Sequence, residues 1–490
     1  MSSSDEFASA IPLPVWALLR RLWANGHEAY VVGGALRDVV LGRPAADWDL
    51  TTEARPDRML EIFPGAAYEN RFGTVAVREG GAVHEITTYR IDHEYADFRR
   101  PHRIEFGDAV EDDLARRDFT MNAMAWGAPA PVSLGDGSAA DGSVADGSAA
   151  DGSVADGSAA DGSAADAPPD PAPVLVDPFN GRADAAARIL RAVGDPGLRF
   201  REDALRMVRA IRLAATLPAE IEPATLGAIR ENAGLAAHLS KERVAAELDR
   251  LLGASRPSVG LRLMAETGLL EVLWPDLAIQ RGVPQNKTPG EDLWDHTLRS
   301  VDAAPIERPT VRLAALLHDI GKPSSAADGH FHGHETVGAE MARTFLERLR
   351  YPRSVVDRVV HLVRQHMFGY EPAWSDVAVR RFIGTVGRDA LDDLLDLRTA
   401  DNVGSGQDPD AGRLAELRVR IVRELQAQVA LDLADLAIDG GDLIEQLGLV
   451  QGPSIGALLD ALLERVVEDP ALNDRPTLLL LARRLMDDEP

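Results

Sequence analysis

The first candidate site lies in residues 30–52, YVVGGALRDVVLGRPAADWDLTT, where a glycine pair precedes two aspartates. A short apolar run predicts a strand that ends at the glycines, and the next segment, which carries Arg37, predicts a helix. Because Gly34 has no Cβ and a helix start offers unpaired N–H groups, a phosphate could approach the backbone here. If Asp47 and Asp49 lie in a strand, their side chains share one face. Two such carboxylates could hold two Mg²⁺ ions about 4 Å apart.

A second block, Glu111–Ala125 (EDDLARRDFTMNAMA), places Arg117, Asp118 and Asn122 on or beside a predicted helix. An arginine fork fits phosphate oxygens at two points, and a carboxylate accepts hydrogen bonds from hydroxyl groups. A charged helix face is also a common solvated surface, so the residue types alone leave both interpretations open.

A third block, Arg201–Ala214 (REDALRMVRAIRLA), predicts a helix with a charged pair. Asp203 and Arg206 are three positions apart and therefore share a helix face. Each further step of three slips back by about 60°, so Arg209 lies further round and Arg212 lies roughly opposite the aspartate. An ordinary salt bridge between Asp203 and Arg206 is the alternative.

A separate group of histidines and aspartates lies between residues 294 and 401. The candidate ligands are His296, His318, Asp319, His332 or His334, His361 or His366, and Asp401. The adjacent His318 and Asp319 end an apolar helical run and are followed by Ile-Gly-Lys. Imidazole and carboxylate ligands suit Mn²⁺, Fe²⁺, Ni²⁺ or Co²⁺, so this group predicts a second divalent metal site.

Composition limits what these groups can do. The chain has 490 residues, a net charge of −26 and no cysteine, which excludes disulfides and thiolate zinc sites. No apolar run is long enough to cross a membrane, and the acidic N-terminus does not resemble a signal peptide, so a cytoplasmic protein is expected. Contact with nucleic acid would require a local arginine patch, because the overall charge repels phosphate.

The elements that must position the first site are strands and short helices. Residues 13–25 predict an amphipathic helix that ends at Gly26, and the first strand follows it. Asn70–Val77 and Ala82–Tyr89 alternate apolar and polar residues around a glycine turn, which predicts a hairpin. Glu85 on its second arm could be a third carboxylate beside the aspartate pair, or an ordinary solvated glutamate.

Beyond residue 186 strand signals nearly vanish, and the pattern is helical. Residues 134–171 instead repeat Asp, Gly, Ser and Ala, with eight Asp and no Lys or Arg in 134–170, so they predict a disordered insertion. We therefore expect an α+β fold: a head at 12–185, an all-α neck at 186–285, a His/Asp domain at 286–405 and a helical tail at 406–490.

These motifs carry a family resemblance. GG-x-x-RD, followed after eight residues by D-W-D, resembles the nucleotidyltransferase head of the DNA polymerase beta superfamily, and more narrowly the class II tRNA nucleotidyltransferase and bacterial poly(A) polymerase family. RRDFTMNA resembles the second motif of that family, and E-D-x-x-R at residues 202–206 resembles a third. The His/Asp group resembles the HD phosphohydrolase superfamily, whose spacing favours His334 over His332 and His366 over His361.

The resemblance implies template-independent addition of CMP and AMP, from CTP and ATP, to the 3′ end of tRNA. Asp47 and Asp49 would bind Mg²⁺ with Glu85 as a third acid, and an arginine set with Gly34 would hold the triphosphate. Asp118 would accept a hydrogen bond from the ribose 2′-OH, while Asp203 and Arg206 would read the base edge. The residues implied to contact nucleotide are Gly34, Arg37, Arg117, Asp118, Asn122, Asp203, Arg206, Arg209 and Arg212.

Several alternatives share the same motifs. A poly(A) polymerase, or an enzyme that adds only CC or only A, would carry the same residues. The HD region could instead supply the main activity, or it could be a body that keeps its helices and has lost turnover. The segment with Glu242, Arg243 and Glu247 resembles a further family motif that braces the third block, and an i,i+4 pair of charges on the surface is the alternative interpretation.

Overall fold

The computed structural model describes residues 3–45, 47–68, 73–95, 101–129, 171–285, 290–325, 331–427 and 429–487. The predicted insertion at 134–171 therefore lies, apart from Pro171, outside the described residues. The chain divides into two compact units, residues 1–206 with 219–229 and residues 207–218 with 230–490. In the described part of the chain, no helix has the length and apolar character that a membrane crossing needs.

The first unit contains all the strands that the structure describes. They are β1 (Ala29–Val32), β2 (Asp49–Thr52), β3 (Ala67–Tyr68), β4 (Thr74–Glu79), β5 (Ala82–Thr88), β6 (Arg90–Tyr95), β7 (Pro101–Phe106), β8 (Ala125–Ala128), β9 (Val174–Val176), β10 (Ile189–Leu190) and β11 (Glu220–Ile221). Seven of them form one mixed sheet in the order β3-β4-β5-β2-β1-β8-β9. The pairs β6-β7 and β10-β11 form two small separate sheets.

Short helices accompany this sheet. They are α1 (Ser3–Ala10), α2 (Leu13–Ala24), α3 (Gly34–Val40), α4 (Pro56–Ile62), α5 (Val110–Ala115), α6 (Gly181–Ala187) and α7 (Pro196–Glu202), with a 3₁₀ turn at Thr120–Asn122. Two longer helices, α8 (Leu205–Thr216) and α9 (Pro223–Asn232), each contribute residues to both units. The predicted α2 is confirmed, and its chain reverses at Gly26 with φ of 81°.

The register of β1 places the candidate residues at one edge of the sheet. Val32, the last residue of β1, pairs with Asp49 of β2 on one side and with Ala125 of β8 on the other. The strand β1 is buried along its whole length, so its apolar residues fix this register from both faces. The glycine pair that follows β1 and the aspartate that begins β2 are thereby brought to the same edge.

The predicted hairpin is confirmed, with Glu79 pairing with Ala82 across a turn of two glycines. The expected strand over residues 47–50 is only partly correct, because β2 begins at Asp49. Burial nevertheless alternates from Asp47 to Leu50, and both aspartates are exposed while Trp48 is buried. The two carboxylates therefore share a face, as alternation requires, although only Asp49 belongs to the strand.

The head is larger at both ends than the range 12–185 expected from sequence. Phe7 of α1 is fully buried and joins the same apolar cluster as Leu19 of α2 and Trp126 of β8. At the other end, β10 pairs with β11, and the backbone N–H of Thr120 donates to the carbonyl of Arg191 at 2.9 Å. Backbone pairing of this kind is not visible in local sequence periodicity, and it connects residues on both sides of the expected boundary at 186.

The regular elements described in the second unit are all helices, apart from an isolated bridge between Pro284 and Asp292, which confirms the helical interpretation of the second half. Its helices are α10 (Lys241–Leu252), α11 (Pro257–Glu266), α12 (Leu269–Leu273), α13 (Pro275–Ala278), α14 (Leu293–Ala303), α15 (Pro309–Leu317), α16 (Lys322–Ser325), α17 (His334–Arg348), α18 (Arg353–Gln365), α19 (Asp376–Val386), α20 (Leu391–Gly404), α21 (Leu414–Gln426), α22 (Gly440–Leu447), α23 (Pro453–Glu468) and α24 (Arg475–Asp487). Short 3₁₀ turns occur at Ala233–His238, Leu433–Asp435 and Pro470–Leu472.

We predict that Gly127→Ala in β8 destabilises the head. A Cβ at this position would lie 2.1 Å from the carbonyl oxygen of Ala29 and 2.7 Å from Cα of Tyr30, and these backbone atoms cannot rotate away. We expect a loss of about 3 kcal/mol, the upper range for overpacking, seen as a lower urea midpoint by tryptophan fluorescence. In the control Gly227→Ala on α9, no atom lies within 4 Å of the new Cβ. The control should be neutral or slightly stabilising, and equal midpoints for the two variants would contradict the β1-β8 register.

Candidate active site and candidate metal centre

Two glycines allow two arginines to pack against the backbone at the end of β1. Gly33 has φ of 80°, and a Cβ there would lie 2.9 Å from NH1 of Arg117. A Cβ on Gly34, the first residue of α3, would lie 3.2 Å from NH2 of Arg37. Any side chain at the first position would therefore displace the Arg117 guanidinium. From the sequence we expected the missing Cβ atoms to leave space for a phosphate. In the structure, the space beside Gly33 and Gly34 is taken by the guanidinium groups of Arg117 and Arg37.

The aspartate pair lies beside this arginine. Asp49 is exposed, but enough protein surrounds its carboxyl group to raise its pKa; Arg117 opposes this rise and Asp47 adds to it. A carboxylate next to a second carboxylate is relieved by a bound cation, because the cation favours the charged form. The two exposed oxygen donors, and the raised pKa of Asp49, therefore fit a divalent cation of the Mg²⁺ type.

Glu85 lies on the strand next to the aspartates. Leu50 of β2 pairs with Ile86 of β5 in parallel, so the preceding residues, Asp49 and Glu85, are neighbours on the two strands, and both are exposed. The structure does not draw the three acids into one compact group, however. Among the described residues, the only sets of three or more donors within 4.8 Å of one another lie in the second unit.

A fully buried carboxylate holds Arg117 in place. Asp113 on α5 accepts hydrogen bonds from Nε and NH2 of Arg116 at 2.9 and 2.5 Å and from NH2 of Arg117 at 3.3 Å. Burial alone would raise the pKa of Asp113, but the two guanidinium groups outweigh it and the pKa is lowered. Nε of Arg117 is buried and has no hydrogen-bond partner among the described residues. Asp113 thus holds Arg117 through NH2, while Nε keeps an N–H group that no described residue accepts.

A second hydrogen-bond chain connects three of the predicted residues. Asp38 accepts from Nε of Arg37 at 3.1 Å and from its NH2 at 3.0 Å, while NH1 of Arg37 donates to Oδ1 of Asn122 at 2.8 Å. Nδ2 of Asn122 donates to Oδ1 of Asp118 at 3.2 Å, and the same oxygen accepts from the N–H of Phe119 at 2.9 Å. The two blocks that carry these residues, far apart in sequence, therefore form one polar network.

The expected helix face shared by Asp203 and Arg206 is wrong. Asp203 lies between α7 and α8 with extended backbone angles, and its carboxylate accepts from the N–H of Leu205 at 3.0 Å. Aspartate competes for N–H groups in this way at helix starts, which explains the break in the helical pattern. Arg206 instead donates to Glu202 at 2.6 Å and to the carbonyl of Arg116 at 2.9 Å.

Arg209 and Arg212 belong to the second unit, where Glu247 binds them. Glu247 is only 1% exposed and accepts from Nε of Arg212 at 2.6 Å and from NH1 of Arg250 at 3.0 Å. Its other oxygen lies 3.8 Å from Nε of Arg209. The alternative interpretation, in which Glu247 belongs to an exposed pair of charges, is therefore wrong. Glu247 instead braces α8 by contacting Arg209 and Arg212 of that helix.

The six predicted His/Asp residues of the second unit are brought together by five segments. All six are buried, and they form two groups whose ligand atoms lie within 4.8 Å of one another: His296, His318 and Asp401, and Asp319, His334 and His366. His296 lies on α14 and Asp401 on α20, while the others lie at the ends of α15, α17 and α18. A Cβ at Gly321 would lie 2.4 Å from the carbonyl oxygen of His334, so this glycine permits the close approach of α17.

Three of the histidines are oriented by their own backbone. Nδ1 of His318, His334 and His366 donates to the carbonyl oxygen three residues earlier, at 2.8, 2.7 and 2.6 Å. With the proton on Nδ1, Nε2 presents its lone pair to the centre of the cluster. Nε2 of His334 and of His366 is buried and has no hydrogen-bond partner among the described residues. Imidazoles held in this way fit a divalent transition metal.

Asp319 lies between the two groups. Its Oδ2 is 3.2 Å from Nε2 of both His296 and His318, and its Oδ1 is 3.3 Å from Nε2 of His334. Lys322 donates to the same Oδ2 at 2.6 Å. Although burial would raise the pKa of Asp319, His318 and Lys322 hold it well below the ordinary value. The carboxylate is therefore charged, with one oxygen facing each group.

The predicted choice between neighbouring histidines agrees with this arrangement. His332 is exposed and His361 donates to the carbonyl of Val386 at 2.8 Å, and neither belongs to the two groups. Sequence reasoning did not single out Asp113 or Asp38 in the head. The spacing of Asp113 three and four residues before two arginines was a signal that could have found it.

Comparison with known proteins places this geometry in a family. The family model of the Poly A polymerase head domain matches residues 29–141, that of the probable RNA and SrmB-binding site of polymerase A matches 220–280, and the HD domain model matches 291–405. The CCA-adding enzyme of Geobacillus stearothermophilus is 31% identical over 460 residues, covering 94% of this chain and 93% of that protein. This chain belongs to the CCA-adding enzyme family. The CCA-adding enzyme of Streptococcus thermophilus is 28% identical, covering 98% of each chain.

Solved CCA-adding enzymes share the architecture. The crystal structure of the Bacillus stearothermophilus CCA-adding enzyme in complex with CTP matches with a TM-score of 0.67 and 28% identity, covering 98% of this chain and all of that one. The Thermotoga maritima CCA-adding enzyme complexed with tRNA matches with a TM-score of 0.56 at 18% identity, which shows the common fold. The resemblance seen in the sequence motifs is thereby confirmed for the whole chain of this tRNA nucleotidyltransferase.

We predict that Asp113→Asn destabilises the head by about 3 kcal/mol at pH 7, because two partly buried guanidinium groups lose the fully buried carboxylate that balances their charge. Since the folded pKa of Asp113 is lowered, its stabilising effect is present above the unfolded pKa of about 3.9 and is lost as pH falls through the folded value. The difference in unfolding free energy between wild type and variant should therefore shrink in acid. The exposed neighbour Asp112→Asn is the control, and an equally small effect of both substitutions would contradict the buried clamp.

Proposed function

We propose that this chain adds CMP and AMP, taken from CTP and ATP, to the 3′ end of tRNA without a nucleic-acid template. One observation carries the proposal: an exposed aspartate pair lies beside an arginine with an unpaired buried donor, within a CCA-adding enzyme. A structural relative was solved in complex with CTP, which supports CTP as a substrate of this chain. ATP, CTP and tRNA are cytoplasmic compounds, so we propose a cytoplasmic location.

Asp47 and Asp49 would hold Mg²⁺, and Glu85 on the adjacent strand would be the third acid. When bound there, the metal lowers the pKa of the attacking 3′-OH and offsets charge on the leaving pyrophosphate. The contribution of the protein is the alternation that directs both aspartates to one face, next to the cation of Arg117. That cation offsets part of the negative charge that the carboxylates and a triphosphate bring together.

The residues that hold the nucleotide divide by role. Arg37, Arg117 and the start of α3 at Gly34 would bind the triphosphate, since guanidinium groups and free N–H groups both favour phosphate. Asp118 would accept a hydrogen bond from the ribose 2′-OH, which a deoxynucleotide lacks.

Asp203 and Arg206 would read the base edge, because cytosine and adenine both offer an amino donor to a carboxylate. Arg209 and Arg212, braced by Glu247, would support that selection.

Replacing either catalytic aspartate by asparagine should abolish nucleotide addition. Asp47→Asn and Asp49→Asn each remove one metal-binding charge at nearly constant volume, so we expect at least a hundredfold loss of rate with an unchanged melting temperature, as a missing barrier reduction of about 2.7 kcal/mol would give. The assay extends tRNA that lacks its CCA end with each NTP singly and with CTP and ATP together, followed by sequencing of the products.

Asp57→Asn, an exposed aspartate in the first turn of α4, is the matched control and should keep full activity. Retention of more than a tenth of the wild-type rate by either variant at saturating Mg²⁺ would refute the metal-binding role. The same sequencing separates CCA addition from its alternatives: runs of A would indicate a poly(A) polymerase, and products that stop at CC or require a preformed CC end would indicate a partial activity.

The buried histidine cluster supports a second candidate function, hydrolysis of phosphoesters at the HD domain. We propose that His296, His318 and Asp401 hold one divalent metal and that Asp319, His334 and His366 hold another, with Asp319 shared. A metal bound there would activate water as a nucleophile. Lys322, which donates to Asp319, adds a positive charge that favours a phosphate group. Damaged tRNA 3′ ends, such as those with a cyclic phosphate, are the proposed substrates.

The double variant His318→Ala/Asp319→Ala should lose bound metal and hydrolysis while keeping nucleotide addition. Protein stripped of metal is loaded with Mn²⁺, Co²⁺, Ni²⁺ or Fe²⁺, and metal content and hydrolysis of bis(p-nitrophenyl) phosphate and of tRNA ending in a 2′,3′-cyclic phosphate are measured. The exposed His332→Ala is the control and should behave as wild type. Equal metal content in all three proteins, without hydrolysis by any, would leave the HD domain as a structural body.

A further inference from the structure

Asn122 occupies the middle of the polar network in the head. It ends the 3₁₀ turn that follows Asp118, and its amide contacts two of the residues implicated in nucleotide binding. Oδ1 accepts from NH1 of Arg37 at 2.8 Å, and Nδ2 donates to Oδ1 of Asp118 at 3.2 Å. Asn122 therefore links the arginine of the first motif to the carboxylate of the second.

The link requires both an acceptor and a donor on one short side chain, which an amide provides. Arg37 can only donate, so Oδ1 of the amide must face it, and the NH₂ group is then directed at the carboxylate. Arg37 is itself fixed, because Asp38 accepts from two of its nitrogens. The orientation of the amide is thus determined by a rigid cation on one side.

Asp118 is held by this amide and by its own backbone. Its Oδ1 accepts from Nδ2 of Asn122 and from the N–H of Phe119, at 3.2 and 2.9 Å. Asp118 is only 8% exposed, so its carboxylate has little room to be re-solvated if a donor is lost. Two donors on one oxygen fix the torsion angle of the carboxyl group and therefore the direction of its second oxygen.

We propose that Asn122 is a positioning residue that sets the discrimination between ribonucleotides and deoxyribonucleotides. The proposal rests on the proposed function of Asp118 as acceptor for the ribose 2′-OH. A hydrogen bond to that hydroxyl forms only with CTP or ATP, and it is strong only if the carboxylate is already aimed. Arg117 is held separately by Asp113, and Arg37 keeps its hydrogen bonds to Asp38 without the amide, so we expect triphosphate binding to depend little on Asn122.

The test compares CTP with dCTP as substrates for Asn122→Ala. We expect kcat/KM for CTP to fall about tenfold, the value of one hydrogen bond to a charged group, while kcat/KM for dCTP changes less than twofold. Asn122→Asp keeps the acceptor for Arg37 but places a carboxylate against Asp118, so it should lower the CTP/dCTP ratio at least as much. Asn122→Ser, whose hydroxyl can both accept and donate, should recover part of the ratio and serves if the alanine variant does not fold.

Asn25→Ala is the matched control, since this exposed asparagine follows α2 and its side-chain amide donates to the carbonyl of Arg21, within the same helix. Its CTP/dCTP ratio should equal that of wild type. An equal loss for CTP and dCTP in Asn122→Ala would overturn the proposal, because purely structural support weakens both substrates alike.

Asp118→Ala separates this inference from the proposed function beneath it. If Asp118→Ala leaves the CTP/dCTP ratio unchanged, the ribose role of Asp118 is wrong and the inference falls with it. If Asp118→Ala lowers the ratio but Asn122→Ala does not, only the inference is overturned. The expected result is that both lower the ratio and that the double variant lowers it no further than Asp118→Ala alone.

Discussion

The pairing of Val32 with Asp49 is the constraint on which the head depends. Because β1 ends where β2 begins, the turn at Gly33 and the exposed aspartate face come to one edge of the sheet. On the other side β1 pairs with β8, whose first residue follows shortly after Asn122. A slip of one residue of β2 against β1 would send the aspartate face to the core. The buried apolar side chains of β1 therefore stabilise the fold and, through the register, hold the aspartate face beside the glycine turn.

The two candidate sites offer a metal ion different ligands. In the head, the acids are exposed, and the nearby cations are arginines held by other carboxylates. Asp113 holds Arg117, and Asp38 holds Arg37. In the HD domain, the ligands are buried imidazoles around one shared aspartate. Exposed oxygen donors suit a hard ion that keeps part of its water, whereas buried nitrogen donors suit an ion that exchanges water for imidazole. The two sets of donors therefore favour different kinds of divalent ion.

Local pattern predicted those features that depend on local geometry. The strand before the glycines, the hairpin at Glu79–Ala82 and the His318-Asp319 pair follow from periodicity and adjacent residues, and the structure has them. The break at Asp203 was missed because a side chain captured an N–H group that a continuing helix would have used. The burial of Phe7 was missed because it depends on contacts between segments that are remote in sequence. The clamp by Asp113 is local, three and four residues before its arginines, but charges at this spacing are also common on solvated helix faces, so the pattern alone did not single it out.

The bonds from Nδ1 of His318, His334 and His366 to carbonyl oxygens three residues earlier have an evolutionary consequence. The acceptors belong to the main chain of Ala315, Phe331 and Val363, so the tautomer of each imidazole is specified by backbone shape and not by a neighbouring side chain. Many metal sites need a matching carboxylate for this purpose, and they lose function when it mutates. Here the supporting positions are free to drift among residues that keep the local backbone, so the ligand set is tolerant of sequence divergence.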